Sequence, residues 1–216
     1  MVVMAVKDGK IVFEKAYGYK TYEQTEPMTL ESVFDMASVT KICATTISVM
    51  KLYEEGKLDL KKRLGDYIPW VNGTNKQDLL VEDILLHQAG LKAWIPFYKE
   101  ISDSVTMKAK QGYFSKINNA KYNVKVDDSL YMRTDWRDTM ISRILTSSVD
   151  SKKPYIYSDN DFIFLGKIVE AISGMPLEEY VYKEFYRPLG LVTAGFRPLD
   201  RFPKSQVSPT ESEKIF

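Results

Sequence analysis

The apolar positions open on a short run, Val2, Val3, Met4 and Val6, which breaks at Asp8-Gly9 and resumes at Ile11, Val12 and Phe13. Two apolar runs joined by an Asp-Gly pair predict a β-hairpin over roughly the first 20 residues. The polar stretch from Thr21 to Met28 reads as a loop, and apolar character returns from Leu30 to Met36. Neither Gly nor Pro interrupts Ser38 to Glu55, and Gly56 supplies a helix stop. Within that helix Ile42, Cys43, Val49, Leu52 and Tyr53 fall on more than one face, which predicts burial on several sides. Leu58, Leu60, Leu64, Tyr67 and Ile68 carry the apolar pattern on to Pro69. Val81 to Leu86 then predict a short helix that stops in His87-Gln-Ala-Gly90.

From Ala93 to Lys153 the pattern is weakest, rich in Tyr, Lys, Asn and Asp, with a helix predicted only from Trp136 to Leu145. Such a stretch suits either a cleft wall or a surface excursion. Asp161 to Ile172 is strongly apolar and closes at Ser173-Gly174; Pro176 opens a further helix that ends near Pro188-Leu-Gly190. The final residues, from Thr210 to Phe216, resemble a capping box opening one more helix, so the sequence is expected to be cut from a longer protein. Together these elements predict an α+β fold in a single domain, 1–216. A mostly helical lobe, 21–190, packs on an incomplete antiparallel sheet begun by the hairpin 1–20, with Ser38 at their junction and 191–216 opening a missing C-terminal part.

The 216 residues suit one compact domain, and 44 % apolar content is enough for a sizeable core. Thirty basic residues against 29 acidic ones leave no excess for a broad nucleic-acid surface. No apolar run approaches the ~18 residues of a membrane span. The opening MVVMAVKDGK has no basic n-region or long apolar core, so these residues are not expected to be a signal peptide, and a leader could lie upstream in a longer gene product. One cysteine cannot form an internal disulfide, and with one histidine it argues against a His/Cys zinc site; neither metal nor cofactor is expected. Cys43 itself is expected to be a small buried residue of its helix.

The chemistry-bearing residues begin with Ser38-Val-Thr-Lys41, whose spacing puts both side chains on one helical face. A serine hydroxyl becomes a useful nucleophile when a neighbouring base takes its proton. A lysine does this only if its pKa falls toward neutrality. Alone, the pair is better read as a helix cap and a surface lysine. Two further segments follow in order: Leu85-Leu-His-Gln-Ala-Gly-Leu91, and Tyr157-Ser-Asp-Asn-Asp-Phe162-Ile-Phe-Leu-Gly166.

Taken with Phe34-Asp-Met-Ala-Ser38-Val-Thr-Lys41, this collinear trio resembles the serine β-lactamase and penicillin-binding-protein superfamily, especially its class-C-like DD-peptidase branch. The resemblance extends through Arg187-Pro-Leu-Gly-Leu191 and implies a β-lactamase/transpeptidase-like fold. It implies Ser38 as the nucleophile that forms an acyl-enzyme, Lys41 as the group sharing its proton, and Tyr157 exchanging protons with the serine and the leaving group. It also implies an oxyanion donor from the Ser38 N–H. Asp159 takes a substrate-binding position where the family often carries Asn, and a carboxylate can only accept. A charged Asp159 beside Lys41 would keep the lysine protonated and move proton handling toward Tyr157, or it would simply orient Lys41.

The family's third element, K-[ST]-G or H-x-G, does not follow Tyr157 within the 216 residues. Little or no turnover is therefore expected of this stretch alone, and the open edge of a two-stranded remnant is expected to favour self-association. The implied function is a serine hydrolase of amide or ester bonds. Its partners would be small-molecule or peptide acyl substrates (peptidoglycan peptide, β-lactam or ester), with no nucleic acid. The resemblance suggests a periplasmic or secreted bacterial protein. The competing reading is a non-catalytic binding module that kept the scaffold. His87, the sole histidine, is expected to make a structural hydrogen bond or cap rather than serve as a base. Trp70, Trp94 and Trp136 are expected in the core or a cleft wall.

Overall fold

The computed structural model describes residues 1–106, 108–127 and 129–210, an α+β chain. The helix expected from Thr210 onward lies outside the described residues. The chain divides into two compact units, one formed by Met1–Ala37 with Thr193–Phe216 and the other by Ser38–Val192.

In the first unit β1 (Val2–Lys7) and β2 (Lys10–Ala16) form the expected antiparallel hairpin. Asp8 (φ 51) and Gly9 (φ 74) both sit in the left-handed region, the pairing that a primed two-residue turn needs to match strand twist. Val33 bridges Val207 in parallel through Val33 N–H to Gln206 O (2.8 Å) and Ser208 N–H to Val33 O (2.8 Å). Residues 193–210 thus belong with the hairpin unit.

The second unit is mainly helical. A π-helical turn, Lys41–Thr46, runs into α1 (Ile47–Glu54), followed by α2 (Leu64–Tyr67), α3 (Val81–Leu85) and α4 (Tyr98–Ile101). A three-stranded antiparallel sheet of β3 (Phe114–Ser115), β4 (Tyr122–Asp127) and β5 (Leu130–Arg133), in the order β3-β5-β4, precedes α5 (Trp136–Thr146). Then come α6 (Asp159–Ser173) and α7 (Leu177–Val181). The sheet lies in the region whose pattern was weakest: β4 alternates apolar and polar residues, but no side chain of β4 or β5 is buried.

Helix α6 organises the core. Phe164, Leu165, Ile168 and Val169 are fully buried and form one broad face at helical spacing. They join Val49 and Leu52 of α1, Leu64 of α2, Val81 and Ile84 of α3, and Tyr180 of α7 in one cluster. Ser158 caps the helix by accepting the Asp161 N–H (3.3 Å), and Gly174 (φ 70) ends it in a left-handed turn. The expectation that the first long helix is buried on several sides is not met. Its buried face is Ala44, Thr45, Ser48, Val49 and Leu52, while Ile42, Met50 and Tyr53 are exposed. Cys43 is exposed as well. It lies off that buried stripe, and its carbonyl accepts the Tyr186 hydroxyl (2.9 Å).

Two contacts pin loops of this unit. Gly90 (φ 77) lies so close to Asp150 that an added Cβ would stand 2.2 Å from the Asp150 carbonyl oxygen, so only glycine fits the turn after His87. Lys76 is fully buried and donates to the Leu145 (3.4 Å) and Ser147 (2.5 Å) carbonyls at the end of α5. Burial and the nearby Lys92 charge pull its ammonium down to about 8.

Candidate active site

Ser38 lies in the turn entering the π-helical segment, and its carbonyl accepts the Lys41 N–H (3.0 Å). The tight turn folds the lysine back over the serine, with Nζ donating to Oγ at 3.0 Å. Immediately before it, Ala37 holds a left-handed φ of 42, a conformation costing roughly 1–2 kcal/mol in a residue with a Cβ.

The other half of the site comes from the start of α6. The Asp159 N–H donates to the Ala93 carbonyl (2.8 Å), while the Ser158 hydroxyl (2.7 Å) and Asn160 Nδ2 (2.8 Å) both donate to the Lys92 carbonyl. These bonds dock the 91–93 segment against the helix cap. They aim Asp159 at the lysine, whose Nζ donates to Oδ1 at 2.6 Å. Tyr157 stands two residues earlier, with its ring centroid 4.9 Å from Lys41 Nζ. The four residues selected from the sequence, Ser38, Lys41, Tyr157 and Asp159, therefore converge although 119 positions separate Ser38 from Tyr157.

Burial of the lysine side chain, which is 14 % exposed, pulls its pKa down. Hydrogen bonds to Asp159 and Tyr157 and the charges of both push it up, and together they outweigh the burial. Lys41 thus stays above the ordinary lysine range and is an ammonium at neutral pH. Tyr157 moves the other way: hydrogen bonding with Ser38, then with Lys41, lowers its phenol below the ordinary range. The carboxylate of Asp159 opposes that lowering. Of the two candidate bases, the phenol is the one whose surroundings favour the deprotonated form that a base must present.

Beneath this cluster lies a pair whose coupling the sequence did not reveal. His87 Nδ1 is 2.9 Å from Asp161 Oδ2, with both side chains buried. Its ring packs on Tyr157 (centroids 4.7 Å apart) and Phe162 (5.2 Å). His87 has the structural hydrogen bonds expected of it, but Asp161 was passed over. An acidic residue at the head of a strongly apolar segment was the available signal, because a buried carboxyl needs a partner or a proton. Trp136 is buried against Tyr113, Trp70 is half exposed beside Phe164, and Trp94 is half exposed and stacked on Tyr98. Among the described residues no cluster of His, Cys, Asp and Glu could hold a metal, and no helix is long and apolar enough to cross a membrane.

A family model described as Beta-lactamase matches residues 1–211. Among curated proteins the chain is similar to an N-acetylmuramyl-L-alanine amidase of Bacillus subtilis (strain 168), with 31 % identity over 97 % of this chain and 45 % of the relative. It is also similar to an Escherichia coli (strain K12) protein provisionally described as a D-alanyl-D-alanine carboxypeptidase, with 32 % identity over 97 % of this chain and 46 % of that protein. The chain thus spans about half the length of the curated relatives it matches. Among solved structures it is similar to an octameric penicillin-binding protein homologue from Pyrococcus abyssi, with TM-score 0.69, 24 % identity, and coverage of 96 % of this chain and 42 % of that one. A class C β-lactamase in complex with cefoxitin matches with TM-score 0.65, 18 % identity, and coverage of 96 % and 48 % respectively.

Proposed function

Because the chain belongs to the beta-lactamase family, we propose that it carries the nucleophile half of a serine hydrolase that cleaves amide or ester bonds through an acyl-enzyme on Ser38. The observation that carries this reading is the convergence of Lys41 Nζ on both Ser38 Oγ (3.0 Å) and Asp159 Oδ1 (2.6 Å) beside the Tyr157 ring.

In this mechanism Ser38 Oγ attacks the acyl carbonyl carbon, and its proton passes to the Tyr157 phenolate. The ammonium of Lys41 donates to Oγ, stabilises the phenolate, and is kept charged by Asp159. Negative charge collects on the carbonyl oxygen, where the Ser38 N–H is the available backbone donor. Collapse breaks the amide or ester bond, and the departing amine or alkoxide takes the proton from Tyr157. Water then attacks the acyl-enzyme, with the phenolate again accepting a proton, and Ser38 is released.

The relatives' names, an N-acetylmuramyl-L-alanine amidase and a provisionally described D-alanyl-D-alanine carboxypeptidase, support peptidoglycan peptide as the substrate class, with β-lactams as acylating mimics. That substrate class supports a site of action outside the cytoplasmic membrane, periplasmic or secreted. Exposure to a fluorophosphonate or a labelled penicillin, followed by peptide mass spectrometry, tests the reading. The expected result is a single adduct on the tryptic peptide holding Ser38. Loss of labelling on heat denaturation would show that the folded site drives it. No adduct on the folded protein would favour a non-catalytic binding module instead.

A further inference from the structure

We propose that His87 is the positioning residue for Tyr157. Its carbonyl and one ring nitrogen pin the residues on either side of the tyrosine, its imidazole face seats the phenol ring, and the protonated acid of Asp161 holds the imidazole in the tautomer this requires. The inference rests on the role given to Tyr157 above.

The geometry has three parts. The Ile156 N–H donates to the His87 carbonyl (2.9 Å), and the Ser158 N–H donates to His87 Nδ1 (3.1 Å). One residue therefore grips the chain immediately before and after Tyr157, while its own backbone is held left-handed at φ 58. The imidazole packs against the Tyr157 ring at a centroid distance of 4.7 Å. A phenol that is 47 % exposed, with solvent on one side, is thereby given a fixed floor on the other.

The hydrogen bonds also assign the proton. A neutral imidazole carries one N–H and one bare nitrogen. The Ser158 N–H points at Nδ1, so Nδ1 is the bare nitrogen and Nε2 carries the hydrogen. Asp161 Oδ2 lies 2.9 Å from that same bare nitrogen. An ionised carboxylate would set two acceptors against each other, whereas a protonated one donates. The second carboxyl oxygen, Oδ1, is buried with no hydrogen-bond partner, which suits a neutral acid far better than a charge. Burial raises Asp161 to about 8, and burial together with the Lys41 charge lowers His87, in agreement with an uncharged pair. Around this pair stand Lys41 and Asp159, whose charges act on His87 in opposite senses, and the rings of Tyr155, Tyr157 and Phe162.

The chain holds one histidine, so ¹⁵N-histidine NMR reads this imidazole alone. The expected spectrum at pH 6.5, where a free histidine is about half protonated, is that of the neutral Nε2–H tautomer. An imidazolium or an Nδ1–H tautomer overturns the proposal. The kinetic arm measures the concentration dependence of Ser38 acylation by a chromogenic penicillin. His87→Asn is chosen because Asn tolerates a left-handed backbone. It should lower the maximal acylation rate about 10-fold or more with the half-saturating concentration unchanged. Asp161→Asn, which keeps a donor toward Nδ1, should stay within about 3-fold of the parent, and Asp161→Leu, which has none, should fall with His87→Asn. A folded His87→Asn variant acylating at the parental rate, or one altered only in half-saturation, overturns the positioning role. If the parent protein itself forms no adduct, the Ser38 reading fails, and the tautomer measurement still decides the clamp.

Discussion

Replacing Tyr157 with phenylalanine will slow acylation of Ser38 by about 10²–10⁴-fold, the range ordinarily supplied by one positioned acid–base group. The ring would keep its seat on His87 and its place beside the lysine, so the change removes a hydroxyl and little else. The loss should be large because the alternative base is disabled: Asp159 and Tyr157 keep Lys41 above the ordinary lysine range. The same electrostatics fix the direction of a companion change. Asp159 raises both Lys41 and Tyr157, so Asp159→Asn should let both fall and move the acid limb of the acylation pH profile to lower pH. Stopped-flow acylation across pH measures both effects. A phenylalanine variant that keeps more than a tenth of the parental rate would return the base role to Lys41, and an acid limb displaced upward in Asp159→Asn would contradict the assignment of charges.

What the sequence revealed followed the range of the interactions involved. The hairpin was legible because Asp8-Gly9 is a local signal, and the Ser38–Lys41 contact because three residues of helix bring them together whatever the rest of the chain does. Helix α6 was expected from Asp161 rather than Asp159, because its first turn is polar and held by the Ser158 cap and the Lys92 and Ala93 carbonyls, not by the apolar face. Tyr157 and Asp159 joined the site only through resemblance, since nothing local ties them to a lysine more than 115 positions earlier. The β3-β5-β4 sheet escaped although β4 alternates apolar and polar residues, because β3 and β5 are only two and four residues long and no side chain of β4 or β5 is buried. The first long helix was misjudged because polar Thr45 and Ser48 lie on its buried side, where the Ser48 hydroxyl is satisfied by the Ala44 carbonyl (2.7 Å). Hydrophobic patterning cannot register a polar group whose hydrogen bond is made within its own helix.

Asp161→Asn should stabilise the folded protein, and the gain should grow as pH rises from about 4 to about 8. Asp161 is 1 % exposed and is raised by burial to about 8 in the fold, against about 3.9 in an unfolded chain. Between those values the native state still holds a proton that the unfolded state has released. Stability must then fall with rising pH, by at most about 1.4 kcal/mol per unit. The contribution of the protonated acid is complete below the unfolded pKa and is lost as pH climbs through the folded one. Asparagine keeps the shape and a donor toward His87 but has nothing to ionise. Its advantage should be near zero at pH 4 and on the order of 2–4 kcal/mol by pH 8, after allowing for water reaching the site. Urea unfolding of the two proteins at several pH values cancels every other titration they share. An ion pair of imidazolium with carboxylate would reverse the result, because removing its negative partner would strand a buried cation and destabilise the variant at neutral pH. The sign of one difference therefore tells a neutral, proton-sharing support beneath Tyr157 from a charged one.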